Sequence, residues 1–130
     1  MKVLIVDDSQ TDLNQIKQIV ERAGHQVITA RDGAEGVELA RINMPHLIFM
    51  DIVMPVMDGF RATWEISHDP QTSNIPIVLV STKNNSFDVT WAKKQGAVTL
   101  IAKPYSPASI LEQLLIYRDQ PRPPVYSHVP

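Results

Sequence analysis

The sequence predicts an α/β fold in which a doubly wound, five-stranded parallel sheet carries helices on both faces. Four short runs are almost purely apolar and rich in β-branched residues: 3–6, 47–50, 77–80 and 98–102. Uninterrupted runs of this length are typical of strands buried on both faces, as in a parallel sheet covered by helices. A weaker run at residues 26–29 is expected to add an edge strand. Helical patterns alternate with these five runs, and that order indicates βαβ units joined by right-handed crossovers.

Each predicted strand is followed by a segment with helical spacing. The first four segments end at a glycine or before a proline, both common stop signals: Gly24, Pro45, Pro70 and Gly96. Asp32 is expected to cap the second helix. The apolar residues that define the helical faces are Leu13, Ile16, Ile19 and Val20; Val37 and Ala40; Phe60 and Trp64; and Val89 and Ala92. The fifth segment starts with a capping residue and a proline, Ser106 and Pro107, and carries the stripe Ile110, Leu111, Leu114 and Leu115.

Composition limits the classes of function that fit. The chain has 130 residues, no cysteine and a formal net charge of −2. This length suits one domain, the lack of cysteine excludes disulfides and thiolate zinc sites, and the acidic balance argues against non-specific nucleic-acid binding. No apolar run approaches the roughly 18 residues of a membrane span, and the first run is too short for a signal peptide. We therefore expect a cytoplasmic protein that binds neither nucleic acid nor membrane. We further expect it to be a monomer.

The end of the chain has a different character from the rest. Residues 118–130 contain four of the ten prolines, a density that neither a helix nor a central strand tolerates. The sequence therefore predicts one domain at residues 1–117, followed by an extended or disordered proline-rich tail. Residues 121–124 could bind a proline-reading domain, but a solvated tail is the simpler interpretation.

Polar and charged residues directly follow four of the five predicted strands. They are Asp7 and Asp8 after the first, Asp51 after the third, Ser81 and Thr82 after the fourth, and Lys103 after the fifth. Ligands of open parallel sheets bind at the carboxyl ends of the strands, so these side chains are expected to converge on one rim. Alone, each has an ordinary explanation as a cap, a turn residue or a solvated side chain. Together they indicate a functional site.

The residue types at this rim suit phosphoryl transfer. Three nearby carboxylates repel one another, and a divalent cation that prefers oxygen ligands, such as Mg²⁺, would relieve that repulsion. Lys103 supplies a cation and Ser81 a hydrogen-bond donor for phosphoryl oxygens. A carboxylate can itself be the nucleophile, and Asp51 is the natural candidate because its strand is central in the predicted sheet.

Four motifs give the chain a family resemblance. The motifs are VDDS at 6–9, MDIVMPVMDG at 50–59, VST at 80–82 and KP at 103–104. In these motifs the chain resembles the receiver domains of two-component response regulators, in particular the single-domain, CheY-like kind. The resemblance covers residues 1–117. It implies a flavodoxin-like sheet with the strand order 2-1-3-4-5. It also implies a switch that accepts a phosphoryl group and acts by protein–protein contact or as a phosphate sink.

The resemblance further implies a metal site and a phosphoacceptor. Asp51 would accept the phosphoryl group from the phosphohistidine of a histidine kinase. Asp8, Asp51 and the backbone carbonyl of Val53 would ligate Mg²⁺, and Asp7 would act mostly through a metal-bound water.

The remaining rim residues would respond to the phosphoryl group. Lys103 would pair first with Asp51 and then with the phosphoryl group. Ser81 would bond a phosphoryl oxygen, with the amide of Thr82 nearby. The Lys103–Pro104 peptide bond would be cis, and Gly59 would relieve a tight turn after Asp51.

Three positions depart from the usual receiver pattern. Leu100 stands where many receivers carry an aromatic residue that rotates during switching. Val53 is apolar at a position beside the path of attacking water, which predicts slow dephosphorylation or resistance to a phosphatase that needs a polar partner. Thr82 is bulkier than the alanine or glycine often found there.

Three longer segments place the chain more finely within that family. Residues 25–41, 50–63 and 80–97 are similar to the PilH type of receiver, from chemosensory pathways that control twitching motility by type IV pili. That similarity implies a CheA-type kinase with Hpt domains as the phosphoryl donor.

Other functions remain open on the sequence alone. An aspartate-nucleophile phosphatase would need a second acid where Val53 stands. A flavin or nucleotide carrier would bring phosphate against Asp7 and Asp8, which would repel it. A receiver-like adaptor that works without phosphorylation, or a different CheY-like chemotaxis regulator, is compatible with the chain, the former because of Leu100.

Overall fold

A computed structural model describes residues 1–120 of the chain as alternating strands and helices. The strands are β1 (Lys2–Val6), β2 (Gln26–Ala30), β3 (Leu47–Met50), β4 (Ile77–Ser81) and β5 (Thr99–Ala102). The helices are α1 (Gln10–Arg22), α2 (Gly33–Asn43), α3 (Gly59–His68), α4 (Ser86–Gln95) and α5 (Pro107–Arg118). None of these helices is long and apolar enough to cross a membrane. The predicted tail lies outside the described residues from residue 121 onward.

All five strands pair in parallel, in the order β2-β1-β3-β4-β5. The predicted fold class and strand order are therefore confirmed. The register places the carboxyl ends of β1 and β3 side by side, because Val6 pairs with Met50. Strands β4 and β5 also end level with each other, because Ser81 pairs with Ala102. Residues that follow the strands therefore share one rim.

Local capping explains where most helices begin. Ser9, Asp32 and Asp58 each accept a hydrogen bond from the backbone amide three residues later, and Asn85 forms a capping box with Asp88. Ser106 occupies the predicted cap position of α5, but its side chain makes no capping hydrogen bond, and Pro107 starts the helix.

The core forms one layer on each face of the sheet. Alternate residues of a strand point to opposite faces, so Leu4 and Val6 pack with α2, α3 and α4, whereas Val3 and Ile5 pack with α1 and α5. Strands β1, β3 and β4 are buried along nearly their whole length. This rigid centre fixes the position of the rim residues.

Two elements are more exposed than their apolar sequences predicted. Strand β5 is only partly buried because it forms an edge of the sheet. On α5, Ile110 and Leu114 enter the core, but Leu111 and Leu115 are 40% and 54% exposed. The four-residue stripe is wider than the face that the sheet can cover.

Candidate functional site

Three carboxylates meet at the predicted rim. Asp7 and Asp8 follow β1, Asp51 follows β3, and one ligand oxygen from each lies within 4.8 Å of those of the other two. Asp7 is buried, Asp51 is half-buried and Asp8 is exposed. The cluster therefore runs from the sheet interior to solvent.

Lys103 supplies the positive charge of the cluster. Its Nζ lies 2.9 Å from Asp7, 2.8 Å from Asp12 and 3.4 Å from Asp51, and its side chain is 11% exposed. Burial acts to lower the pKa of Lys103, but hydrogen bonds to Asp12 and Asp7 and the charge of Asp51 outweigh it, so the pKa is raised. The ammonium group therefore stays charged. The Lys103–Pro104 peptide bond is cis, as the resemblance implied.

Asp7 is the most deeply buried acid of the cluster. Burial raises its pKa, and the hydrogen bonds from Lys103 and from the backbone amide of Ser9 only partly offset that effect. The nearby charge of Asp51 raises it further. The pKa of Asp7 is therefore raised by burial and by the repulsion of Asp51, even though Lys103 contacts both carboxylates.

The two hydroxyl residues after β4 have different environments. Ser81 is fully buried, and its Oγ accepts a hydrogen bond from the backbone amide of Lys83 at 3.1 Å. Its carbonyl oxygen accepts hydrogen bonds from the backbone amide of Lys103 and from Asn84. Thr82 is exposed. Ser81 therefore links the end of β4 both to Lys103 and to the loop that follows β4.

The loop between Asp51 and α3 shapes the cluster from the other side. Gly59 lies so close to the end of β3 that a Cβ atom would overlap the carbonyl oxygen of Asp51. Val56 has a φ of 70°, in the left-handed region that β-branched residues rarely adopt. Val53 is 60% exposed, two residues after Asp51.

The donor set of this cluster fits a hard divalent cation. All the side-chain ligands are carboxylate oxygens, as Mg²⁺ prefers. The backbone carbonyl of Asp8 accepts a hydrogen bond from Arg31, and its exposed carboxylate belongs to the group of three acids that could hold a metal ion. Lys103 offsets the charge of Asp7 and Asp51, but Asp8 lies outside its contacts.

Sequence reasoning missed one member of the cluster. Asp12 lies in the first turn of α1 and makes the shortest contact with Lys103. The available signal was the cap at Ser9, which places Asp12 at the third helical position, just above the rim.

Leu100, which departs from the usual receiver pattern, is half-buried against the core layer under α4.

Apolar side chains cover the outer surface beside the site. On α4, Phe87 and Trp91 stack with ring centroids 6.2 Å apart and are 68% and 41% exposed. On α5, on the other face of the sheet, Leu111, Leu115 and Ile116 are also exposed. An exposed aromatic pair such as Phe87 and Trp91 is a candidate protein-binding surface.

Comparisons with known proteins all indicate the same family. The family model of the response regulator receiver domain matches residues 3–115. The chain is 42% identical to Protein PilH of Pseudomonas aeruginosa over 113 residues, which span 87% of this chain and 93% of that protein. It is 30% identical to Protein PilG of the same organism over 111 residues, which span 85% of this chain and 82% of that protein.

A solved structure shows the same fold. One chain in the crystal structure of the CheX–CheY–BeF3–Mg²⁺ complex from Borrelia burgdorferi superposes with a TM-score of 0.85 and 30% identity. The match covers 92% of this chain and 90% of that chain.

Proposed function

The chain belongs to the response regulator receiver family, and from that premise we propose that phosphorylation of Asp51 drives its action. As a receiver, it is a signalling switch rather than a metabolic enzyme. The observation that carries the proposal is the meeting of three carboxylates and the Lys103 ammonium group at the ends of β1, β3 and β5. The receiver would span residues 1–117, with α5 running one residue further to Arg118, and the protein would work as a cytoplasmic monomer.

The proposed chemistry is transfer of one phosphoryl group to a carboxylate. An oxygen of Asp51 attacks the phosphorus of a phosphohistidine, an O–P bond forms, the P–N bond breaks, and the released imidazole takes up a proton. Two contacts orient the carboxylate for this attack: the amide of Ile52 donates to Oδ1 at 2.7 Å, and Lys103 lies 3.4 Å from Oδ2. Lys103, kept charged, then stabilises the added negative charge.

The acidic cluster would hold Mg²⁺ through Asp8, Asp51 and the backbone carbonyl of Val53, with Asp7 acting through a water molecule. When bound, the ion neutralises charge on the phosphoryl oxygens. Asp8 is the exposed ligand and Asp7 the buried one, so Asp8 would take part in loading the ion while Asp7 holds Lys103 in place.

The switch itself would be a population shift. A phosphoryl group on Asp51 adds charge and acceptor oxygens. Ser81 would exchange its hydrogen bond from the amide of Lys83 for one to a phosphoryl oxygen, with the amide of Thr82 nearby. That exchange would pull on the loop after β4 and change the surface of α4, β5 and α5, which carries the exposed aromatic pair Phe87 and Trp91.

The pathway is proposed from the relatives. Identity of 42% to PilH across most of both chains supports a role in type IV pilus motility, with a CheA-type kinase carrying Hpt domains as the donor. Output would be a protein–protein contact of the α4–β5–α5 surface or removal of phosphate from the kinase. A second candidate, an adaptor that works without phosphorylation, is favoured only by Leu100 at the usual aromatic position.

Phosphotransfer from a kinase tests this proposal. A CheA-type kinase labelled on its histidine is expected to pass the label to the wild-type chain but not to Asp51→Asn. Asp58→Asn is the matched control, because it removes the same charge from the same loop and leaves an asparagine that can still cap α3. Equal labelling of the wild type and Asp51→Asn would overturn the assignment of Asp51.

A further inference from the structure

Lys103 is held most closely by a residue outside the expected site. Its Nζ is 2.8 Å from Asp12 and 2.9 Å from Asp7, but 3.4 Å from Asp51, which should receive the phosphoryl group. An ammonium group has three N–H donors. All three are shared among the carboxylates, and the longest contact falls on Asp51.

The position of Asp12 is fixed by its helix. It is the third residue of α1, and its backbone amide donates to the Ser9 cap at 3.3 Å. The next residue, Leu13, is buried in the core layer that α1 shares with α5. Asp12 therefore reaches Lys103 from a rigid element and not from the loops of the rim.

A phosphoryl group on Asp51 would change the competition for Lys103. It adds about 1.5 to 2 negative charges and three acceptor oxygens, so the ammonium group would have to give up part of a carboxylate contact. Asp12 is the most exposed of the three carboxylates, with a side chain 37% exposed against 2% for Asp7 and 12% for Asp51. Water can replace its contact more easily than the others.

We propose that Asp12 is a positioning residue that holds the Lys103 ammonium group back from Asp51 and competes with the phosphoryl group for it. This role rests on the proposed function of Asp51. Asp12 thereby restrains phosphorylation: it stabilises the unphosphorylated arrangement and is released when Lys103 moves to the phosphoryl oxygens.

Beryllofluoride, which mimics a phosphoryl group on a carboxylate, provides the test. Its apparent affinity is measured by NMR titration at saturating Mg²⁺. Asp12→Asn keeps the shape but loses the charge, and it is expected to bind beryllofluoride about threefold more tightly, the scale of one partly exposed ion pair. Its rate of phosphorylation by acetyl phosphate should rise similarly. Asp12→Glu, which restores the charge, should return both values toward wild type.

The matched control is Glu35→Gln. Glu35 is also the third residue of its helix, α2, and loses the same charge, but it contacts the backbone of Arg31 and not Lys103. Its affinity for beryllofluoride should equal that of wild type. An equal gain in Glu35→Gln would assign the effect to net charge, and an unchanged or weaker affinity in Asp12→Asn would also overturn the proposed role.

A second readout does not depend on phosphorylation. Urea unfolding of Asp12→Asn, Lys103→Met and the double variant forms a double-mutant cycle. A favourable coupling between the two side chains is expected, and zero coupling would overturn the contact in solution. If coupling is present but the wild type neither binds beryllofluoride nor accepts a phosphoryl group, the proposed function fails and the role of Asp12 fails with it.

Discussion

At the scale of single residues, Val56 shows how the site stores backbone strain. It has a φ of 70°, which a β-branched side chain disfavours, and it is 84% exposed. Little packing energy therefore offsets the backbone strain. Asparagine tolerates this region better. We expect Val56→Asn to raise the free energy of unfolding by about 1 kcal/mol, measured by urea denaturation. Val53→Asn is the control, and an equal gain there would contradict the strain argument.

His25 predicts a pH dependence of stability. The amino group of Met1 lies 2.8 Å from its Nδ1, and burial together with the charges of the N-terminus and Arg118 lowers the pKa of His25 from its ordinary 6.5. The folded state therefore binds fewer protons than the unfolded state at mildly acidic pH. The contribution of His25 to stability is complete above its unfolded pKa and is lost as the pH falls through its folded pKa.

Replacement of His25 should remove that dependence. Between about pH 7 and pH 5, the free energy of unfolding should fall less steeply in His25→Gln than in wild type. Urea denaturation across this range measures the difference. His68→Gln, at an exposed position on α3, is the control and should keep the wild-type slope. Parallel curves for His25→Gln and wild type would contradict this account.

The sequence predicted only those site residues that directly follow a strand, because the end of a strand fixes where the next residue lies. Asp7, Asp8, Asp51 and Lys103 directly follow apolar strands, and the structure brings them together. Asp12 was not predicted, because its place depends on the direction in which α1 leaves the rim, and a helical repeat does not specify that direction.

At the scale of elements, Gly59 packs the start of α3 against the chain that leaves β3 at Asp51. A side chain there would overlap the carbonyl oxygen of Asp51, and the Gly59 amide donates to the carbonyl of Ile52 at 2.8 Å. We expect Gly59→Ala to lower the free energy of unfolding by about 2 kcal/mol through overpacking and to slow phosphoryl acceptance. Gly24→Ala is the control: its φ of 91° brings strain, but open space surrounds it. Gly24→Ala should lose stability but accept a phosphoryl group at the wild-type rate. A wild-type rate in Gly59→Ala would contradict the proposed effect of Gly59 on phosphoryl acceptance.

The strands and helices were predictable because their signals are local. Apolar runs, caps and stop residues indicated all ten elements, with the predicted boundaries shifted by at most two residues. The exposure of β5 and of half the α5 stripe was not predictable in this way. An apolar run has the same sequence at the centre and at the edge of a sheet, and only the strand order decides between them.

At the scale of the whole molecule, two core layers hold a charged rim in place. The strands that carry Asp7 and Asp51 are buried on both faces, while the strand that carries Lys103 lies at the edge. A rigid pair of acids therefore faces a cation on a more exposed element. That division suits a switch, because movement of β5 and its neighbours would leave Asp51, the proposed phosphoacceptor, in place.

Asp51 is proposed to accept a phosphoryl group with the help of a divalent cation. Intact-mass spectrometry after incubation with acetyl phosphate tests it without a kinase. We predict that the wild type gains the mass of one phosphoryl group when Mg²⁺ is present, that a chelator prevents the gain, and that Asp51→Asn shows none. A gain that persists in Asp51→Asn, or no gain in the wild type at saturating Mg²⁺, would contradict the account.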